Sequence, residues 1–326
     1  MSIEINREGL EKLDYSRTET VRPVNQGAEQ WMGVVVPVLD HGFIYLQDYM
    51  GTDESIDEAA RVSYGSGTRQ VSDTQNLLRY LMRHHHTSPF EMNEFKFHAK
   101  MPIFVARQWV RHRTASLNEY SGRYSILDKE FYIPEPESMA TQSKSNRQGR
   151  EEVMDYKQTA HIRNLLITDA TTAYDHYEYM LNDDGTGKPK DEERGMLARE
   201  LARMNLSLNY YTQWYWKVDL HNMLHFLQLR MDPHAQEEIR AYANIMGQIV
   251  KESLPITWKA FEDYRLNAMS LSGPEQTVLI NLLASRGIVY ETNQIRQFAE
   301  NSGLANNREQ KELIEKMGKL GLISDE

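Results

Sequence analysis

A run of fourteen residues, 111–124, collects side chains that bind anions. It reads R-H-R-T-A-S-L-N-E-Y-S-G-R-Y, with three arginines, a histidine, an amide and two serines. Arginine forks pair with phosphate or carboxylate oxygens, and loop hydroxyls and a glycine amide can complete the cradle. A solvated helix face seldom combines so many phosphate-binding donors with a Ser-Gly-Arg turn. The run therefore predicts a binding site for an anionic ligand.

The whole chain is acidic, so the arginines of this run are a local exception to its charge. Lysine and arginine number 37 against 47 aspartates and glutamates, a formal net charge of −10. Such a protein has no bulk attraction to nucleic acid or to an anionic membrane, so neither is an expected partner. An acidic chain must bind an anion through local arginine clusters, which is what residues 111–124 supply.

The chain contains no cysteine. Disulfides, thiolate zinc sites, iron–sulfur clusters and thiol nucleophiles are therefore excluded. The first fourteen residues lack the apolar core of a signal peptide. The longest apolar run, 32–39, is too short to span a bilayer and contains Pro37. A cytoplasmic enzyme is the expectation.

The elements before the run must position it. Residues 94–101 alternate apolar and polar side chains, which predicts a half-buried strand. Pro102 ends that strand and can begin a helix over 103–112. That helix delivers Gln108 and Arg111 towards the anion-binding run. Further expectations upstream are a strand at 43–46, a helix at 55–62, a turn-rich loop at 63–67 and a helix at 77–82.

The second half of the chain is predicted to be mainly helical. Amphipathic spacing indicates a helix over 163–182, a long helical block from 194 to 225 and another helix over 233–264. Ser272-Gly273-Pro274 indicates a boundary, followed by two or three short helices. We expect a domain over 1–270 and a helical C-terminal extension of unknown role over 271–326.

Residues 111–123 match the pattern R-H-R-x-x-S-x-N-E-x-S-x-R, and this pattern resembles the signature of the flavin-dependent thymidylate synthases at every fixed position. His84–Glu91 is similar to the family's H-x-[ST]-P-F-E segment. Residues 102–109 lead into the signature as they do in the family, and 209–236 resembles its C-terminal half. The resemblance extends from about residue 50 to about residue 270.

This resemblance implies an activity. The enzyme would transfer a methylene group from methylenetetrahydrofolate to dUMP and reduce it to give dTMP, with hydride from FADH2 that NADPH regenerates. No side-chain nucleophile is needed, which agrees with a chain that lacks cysteine. The family forms homotetramers whose FAD sites are shared between subunits. Its fold is α/β (α+β), an antiparallel-rich central sheet flanked by long helices, so residues 1–270 would be the catalytic domain.

The resemblance also assigns residues to sites, and no metal site is among them. Arg111, His112 and Arg113 would hold the FAD phosphates and adenosine. The residues implied to contact FAD are His86, Ser88, Arg111, His112, Arg113, Glu119, Asp219, His221 and His225. The residues implied to bind dUMP are Gln108, Arg111, Glu119, Ser121, Gly122, Arg123, Arg203 and Arg230.

Arg230 is the implied catalytic residue. The matching arginine of the family bonds the uracil ring and favours ionisation at N3, which makes C5 nucleophilic without a covalent adduct. The alternative is an arginine at a helix end that pairs with Asp232 or Glu237.

Two other functions remain open from the residues. A degenerate relative would bind the nucleotide without catalysis, although Gln108 and Arg230 are both present. A helical metal hydrolase would use His221 and His225, which lie four apart on one helix face. The three consecutive histidines at 84–86 also permit a metal site.

Three other features of the sequence give weaker indications of function. Gly185-Thr186-Gly187-Lys188 resembles the end of a P-loop, but Asn182 and Pro189 break the motif. Trp214, Tyr215 and Trp216 suit core packing better than base stacking, and His98 is expected to be solvated. The tail from Ser272 has six basic against eight acidic residues and so lacks a DNA-reading face.

Overall fold

The computed structural model describes residues 5–6, 8–13, 21–62, 73–144, 149–304 and 306–323. The loop expected at 63–67 lies outside the described residues. Two compact units make up the chain, 1–265 and 266–326. The assignment of catalysis to residues 1–270 stays a prediction.

The first unit is built on a five-stranded antiparallel sheet in the order β1-β2-β3-β7-β4. Two further strands, β5 and β6, pair with each other. The strands are β1 Val36–Val38, β2 Gly42–Met50, β3 Glu94–Pro102, β4 Ser116–Glu119, β5 Ala140–Gln142, β6 Arg150–Val153 and β7 Tyr211–Asp219. The sheet expected from the resemblance is therefore confirmed.

Nine α-helices accompany the sheet in the described part of this unit, and two of them are long. The helices are α1 Gln26–Glu29, α2 Asp53–Arg61, α3 Thr74–Arg83, α4 Ile103–Trp109, α5 Tyr156–Leu181, α6 Arg199–Ala202, α7 Leu220–Arg230, α8 Glu237–Ser253 and α9 Pro255–Phe261. Short 3-10 turns lie at Phe90–Met92, Pro136–Ser138 and Arg203–Asn205, and a π-helix follows α9 at Glu262–Leu266.

One face of the sheet forms the main core. In β3 the apolar residues of the alternating pattern are buried, as the sequence predicts, and the polar ones are half-buried. Trp109 at the end of α4 is fully buried and packs against Trp214 and Trp216 of β7 and Phe226 of α7. The ring centroids of these contacts lie 5.1–5.6 Å apart. Aromatic packing of this kind fixes where α4 ends.

A second core cluster lies beneath α5 and α6. Tyr174 and Tyr177 of α5 are buried, and their hydroxyls bond the backbone of Leu127. Leu181, Ala202 and Tyr210 complete the buried set, and Tyr120 packs against it. This cluster therefore anchors the 120–127 loop, which continues from β4.

The prediction of a long helical block from 194 to 225 is wrong. Residues 211–219 form β7, which pairs with both β3 and β4 inside the sheet. From 212 to 219 the segment alternates buried Thr212, Trp214, Trp216 and Val218 with less buried residues, and aromatic residues favour strands. Burial between two neighbouring strands overrides the helical tendency of the flanking residues.

Three other predicted helices have different bounds. The helix expected over 103–112 ends at Trp109, and the one expected over 163–182 begins at Tyr156. The helix expected over 233–264 is divided in two, because Pro255 lacks the amide hydrogen that would continue α8.

The second unit consists of three helices in its described part, in agreement with the two or three predicted. They are α10 Gly273–Ser285, α11 Thr292–Asn301 and α12 Asn307–Lys319. Ser272 and Glu275 form a capping box at the start of α10. Among all described residues, no helix is both long enough and apolar enough to cross a bilayer.

Candidate active site

The anion-binding run begins directly after α4, at the turn 110–114. The amide of His112 donates to the carbonyl of Trp109 across 3.0 Å, which turns the chain away from the helix axis. Because Trp109 is locked in the core, the turn that follows it has a fixed position. Arg111, His112 and Arg113 then line a cavity of about 370 Å³.

Arg230 joins the same cavity from the last turn of α7. Its Nε atom donates to Nε2 of His112 across 3.1 Å. Neither Asp232 nor Glu237 pairs with it, so the alternative expected at a helix end is wrong. Trp216, Asn222 and His225 are further lining residues.

The lining of this cavity contains no aspartate or glutamate. Arg111, Arg113 and Arg230 make no ion pair with a carboxylate in the part of the chain described. Burial lowers the pKa of Arg230, although a guanidinium stays charged at neutral pH. Burial, and then the charges of Arg230 and His225, lower the pKa of His112 to about 4. His112 is therefore neutral at pH 7 and accepts the hydrogen bond from Arg230.

A second cavity, of about 180 Å³, lies between the end of α3, α7 and the end of α9. His86, His221 and His225 line it, and His225 also lines the first cavity. Its floor is formed by buried Phe90, Leu224 and Phe261. No acidic residue lines it. The fold therefore brings together three of the histidines that are predicted to contact the cofactor.

Two other predicted cofactor residues have different surroundings. Asp219 caps α7, and its carboxylate accepts from the backbone and side-chain nitrogens of Asn222 at 2.9 and 2.8 Å. Its acceptor capacity is thus partly used within the chain. Ser88 is exposed in the loop after α3 and does not line either cavity.

The Ser-Gly-Arg turn lies on the second core cluster. The amide of Tyr124 bonds the carbonyl of Ser121 at 3.1 Å, and Arg123 is exposed. Gly122 is buried, and a Cβ atom there would lie 3.0 Å from a methyl group of Leu127. The close packing explains why glycine occupies this turn, and it leaves the arginine facing solvent.

Arg203 lies next in the chain to the core cluster that supports this turn, and it does not line the cavity of Arg230. It follows Ala202, which is buried in the same cluster as Leu127, and it is exposed. One turn earlier, Arg199 donates to the carbonyl of Tyr124 at 2.6 Å. Neither of the two cavities is lined by Ser121, Gly122, Arg123 or Arg203.

Glu119 and Gln108 are each engaged with neighbouring side chains. Glu119, in β4, accepts from the hydroxyl of Thr212 at 2.7 Å and is otherwise exposed. Gln108, in α4, donates to the side-chain oxygen of Gln236. Glu119 is exposed and Gln108 is half-buried, and each makes a side-chain hydrogen bond to a neighbouring residue.

The histidines do not form a metal site in the described part of the chain. No group of three or more histidine, aspartate or glutamate side chains has a metal-binding arrangement there. The expectation that His98 is solvated is wrong, because its side chain is half-buried between neighbouring strands. Its two ring nitrogens lie 3.0 Å from the hydroxyl of Tyr45 and 3.0 Å from Oε1 of Gln213.

The structure adds residues that the sequence did not single out. Arg265, Thr87 and Gln228 line the smaller cavity, and Asn222 lines the larger one. No spacing rule relates Arg265 to the signature 142 residues earlier. Within the histidine run at 84–86, the resemblance implied a cofactor contact only for His86, and a metal site was the alternative for the run as a whole.

Comparison with known proteins assigns the chain a family. The profile of the family described as thymidylate synthase complementing protein matches residues 45–256. A flavin-dependent thymidylate synthase of Ruegeria pomeroyi is 52% identical over 292 residues, which cover 89% of this chain and 94% of that protein. A protein of the same name from Wolbachia pipientis is 53% identical over 258 residues, 79% of this chain and 87% of that protein.

A solved structure shares the architecture. The UMP/dUMP methylase PolB from Streptomyces cacaoi, bound with 5-Br UMP, superposes with a TM-score of 0.60. The two sequences are 28% identical, and the match covers 71% of this chain and 98% of PolB. The fold predicted from the sequence therefore agrees with that of a solved relative.

Proposed function

The chain belongs to the thymidylate synthase complementing protein family, the flavin-dependent thymidylate synthases, and on that premise we propose how its residues serve the reaction. The activity is the reductive methylation of dUMP to dTMP. Methylenetetrahydrofolate is the carbon donor, and FAD reduced by NADPH is the source of hydride. The observation that carries the residue roles is the Arg230–His112 pair in a cavity without acidic residues.

The donors around the larger cavity fit FAD. A dinucleotide carries a diphosphate, and Arg111 and Arg113 offer guanidinium groups that no carboxylate neutralises in the described residues. Asn222 adds an amide donor at the same cavity. When bound, FAD supplies the hydride transfer that no side chain can perform. His86, His221 and His225 would contact the cofactor at the smaller cavity.

Arg230 would activate the pyrimidine. The bond from its Nε to His112 fixes the guanidinium plane and leaves the terminal nitrogens to donate to uracil oxygens. Negative charge that develops when N3 ionises is then stabilised by a fixed cation, an electrostatic effect of the oxyanion type. The C5 carbon becomes nucleophilic without any thiol, which suits a chain without cysteine.

The remaining dUMP residues would come from another subunit. Ser121, Gly122 and Arg123 form one turn, and Arg203 follows Ala202 of the core cluster that supports this turn. Arg230 lines a cavity that contains none of these residues. A homotetramer with shared sites would bring the two sets together, the turn binding the 5′-phosphate and Glu119 accepting from a ribose hydroxyl. We also propose that Gln108 binds dUMP, that Ser88 and Asp219 contact FAD, and that the enzyme is cytoplasmic.

The direct test is tritium release from 5-tritiated dUMP with NADPH, methylenetetrahydrofolate and saturating FAD. Release with formation of dTMP is the expected result. Binding of dUMP without release would favour a degenerate nucleotide-binding relative. A colourless protein that contains stoichiometric zinc would favour the metal hydrolase, whereas a yellow flavin band in the visible spectrum excludes it.

A further inference from the structure

Arg265 and His85 meet at the smaller cavity, and the roles proposed above use neither. Nη2 of Arg265 lies 2.9 Å from Nδ1 of His85 and 3.4 Å from the carbonyl oxygen of Met82. Both residues line the cavity together with His86. The contact joins the end of α3 to the segment after α9, 180 residues later.

His85 occupies a backbone position that ordinarily takes glycine. Its φ is 60°, in the left-handed region, where a side chain is disfavoured. The amide of His86 bonds the carbonyl of Leu81 at 2.9 Å, and that of His85 bonds Met82 at 3.4 Å. These two bonds define a Schellman motif with His85 at the position where helices prefer glycine. Residues other than glycine in such strained conformations cluster at functional sites.

Arg265 also stands on an irregular backbone. It belongs to the π-helix Glu262–Leu266, which follows α9. Such turns are rare and occur frequently at functional sites. Two uncommon backbone conformations, one at each side chain, therefore converge on a single contact at a cavity wall.

The charges at this contact favour an anionic ligand. Arg265 is half-buried and forms no ion pair with a carboxylate in the described ranges, and no acidic residue lines the cavity. The charge of Arg265, followed by burial and His84, lowers the pKa of His85, so its imidazole is neutral at pH 7. Nδ1 of His85 lies 2.9 Å from Nη2 of Arg265, and Nε2 lies 3.5 Å from Nη1 of the same guanidinium. The neutral imidazole therefore orients the guanidinium without cancelling its charge.

We propose that Arg265 and His85 form a phosphate subsite for a nucleotide cofactor in the smaller cavity. Phosphate is the expected group because it has enough oxygens to accept from the guanidinium, the hydroxyl of Thr87 and the amide of Gln228, all of which line this cavity. The apolar floor packs against the uncharged part of the ligand. The proposal rests on the function proposed above, which provides two sources of phosphate. One is NADPH, and the other is the FAD diphosphate held by Arg111 and Arg113, extended past His225, which lines both cavities.

Two variants of the full-length protein, freed of flavin, test the subsite: Arg265→Gln and His85→Gly. Flavin fluorescence gives dissociation constants for FAD and for riboflavin, which lacks phosphate. Loss of one charge-assisted hydrogen bond predicts about tenfold to a hundredfold weaker binding of FAD by Arg265→Gln, with riboflavin unchanged. His85→Gly shows a smaller loss at an unchanged or higher melting temperature, because glycine relieves the left-handed strain. Arg286→Gln, an exposed arginine of the second unit, is the matched control.

A second measurement separates the two sources of phosphate. With FAD saturating, a higher KM for NADPH in Arg265→Gln and unchanged FAD affinity would assign the subsite to NADPH and support the proposal. It is overturned if both variants bind FAD and NADPH as the wild type does, if riboflavin and FAD weaken equally, or if only the KM for methylenetetrahydrofolate rises. Formation of dTMP by the wild type checks the proposed function independently of all these outcomes.

Discussion

Nε of Arg230 donates to Nε2 of His112 across 3.1 Å, and the two residues are 118 positions apart in the chain. Arg230 lies at the end of α7, and His112 lies in the turn that follows α4. Because the imidazole is neutral, it orients the guanidinium without cancelling its charge. The cavity therefore keeps a cation that is both fixed in direction and available to a ligand.

Replacement of Arg230 by alanine tests its proposed role in activating uracil. We expect turnover to fall by about a hundredfold to a thousandfold, the usual effect of removing a donor that stabilises developing charge. FAD should stay largely bound, because Arg111 and Arg113 remain. Tritium release gives the turnover number, and flavin absorbance after gel filtration gives the bound fraction. Arg230→Lys, which keeps the charge but loses the fork, should recover only a small part. Unchanged turnover in Arg230→Ala would remove this residue from the mechanism.

The depressed pKa of His112 predicts a pH dependence of stability. The unfolded chain binds a proton near pH 6.5, whereas the folded chain binds it only near pH 4. The contribution of neutral His112 to the free energy of unfolding is fully present above pH 6.5. It is lost as the pH falls from 6.5 to about 4. The slope is at most about 1.4 kcal/mol per pH unit, and less here because His112 is only half-buried.

Urea unfolding of wild type and His112→Gln at several pH values checks this dependence. Glutamine keeps an acceptor for Arg230 but does not titrate. The free energy of unfolding should therefore fall more steeply with decreasing pH in the wild type than in the variant. Parallel curves for the two proteins between about pH 7 and about pH 4.5 would show that His112 titrates normally.

Subunit mixing tests the proposed shared site. Arg123→Ala and Arg230→Ala are each expected to be inactive as homo-oligomers. If the two residues serve one site from different subunits, mixed oligomers at equal ratio regain intact sites, about a quarter of the total by random assembly. Tritium release after co-refolding measures the recovery. A mixture as inactive as its components would mean that both residues act from one subunit.

Removal of the second unit should spare the reaction. Both cavities are lined by residues between 81 and 265, and the second unit has its own buried residues, Ile295 and Ala299. A chain ending at residue 270 is expected to bind FAD and to form dTMP within about threefold of the full-length rate, since no described residue beyond 265 lines either cavity. Loss of flavin affinity in the shortened chain would assign a functional role to residues 271–326.

The sequence predicts most clearly what depends on local pattern. The alternation in 94–101 identifies β3, and adjacency alone places Arg111, His112 and Arg113 together. The strand β7 was misread because its aromatic residues lie between helical segments, and only pairing with β3 and β4 reveals their alternation as strand periodicity.

Local sequence patterns do not predict contacts between distant segments. The meeting of Arg230 with His112 depends on the packing of α7 against β7 and α4, and no spacing rule encodes it. Arg265 reaches its cavity through a π-helix, which has no recognised sequence signature here. The sequence also does not predict the left-handed conformation of His85, because a left-handed residue after a helix is usually recognised by a glycine at that position.

The tryptophans that anchor the site have an optical consequence. Trp109, Trp214 and Trp216 lie within one cluster, and Trp216 also lines the larger cavity. A flavin in that cavity would accept excitation energy from all three indoles, so their emission would dim as the cofactor binds. The protein thus carries a built-in fluorescent reporter, and cofactor loading can be followed in real time without any attached label.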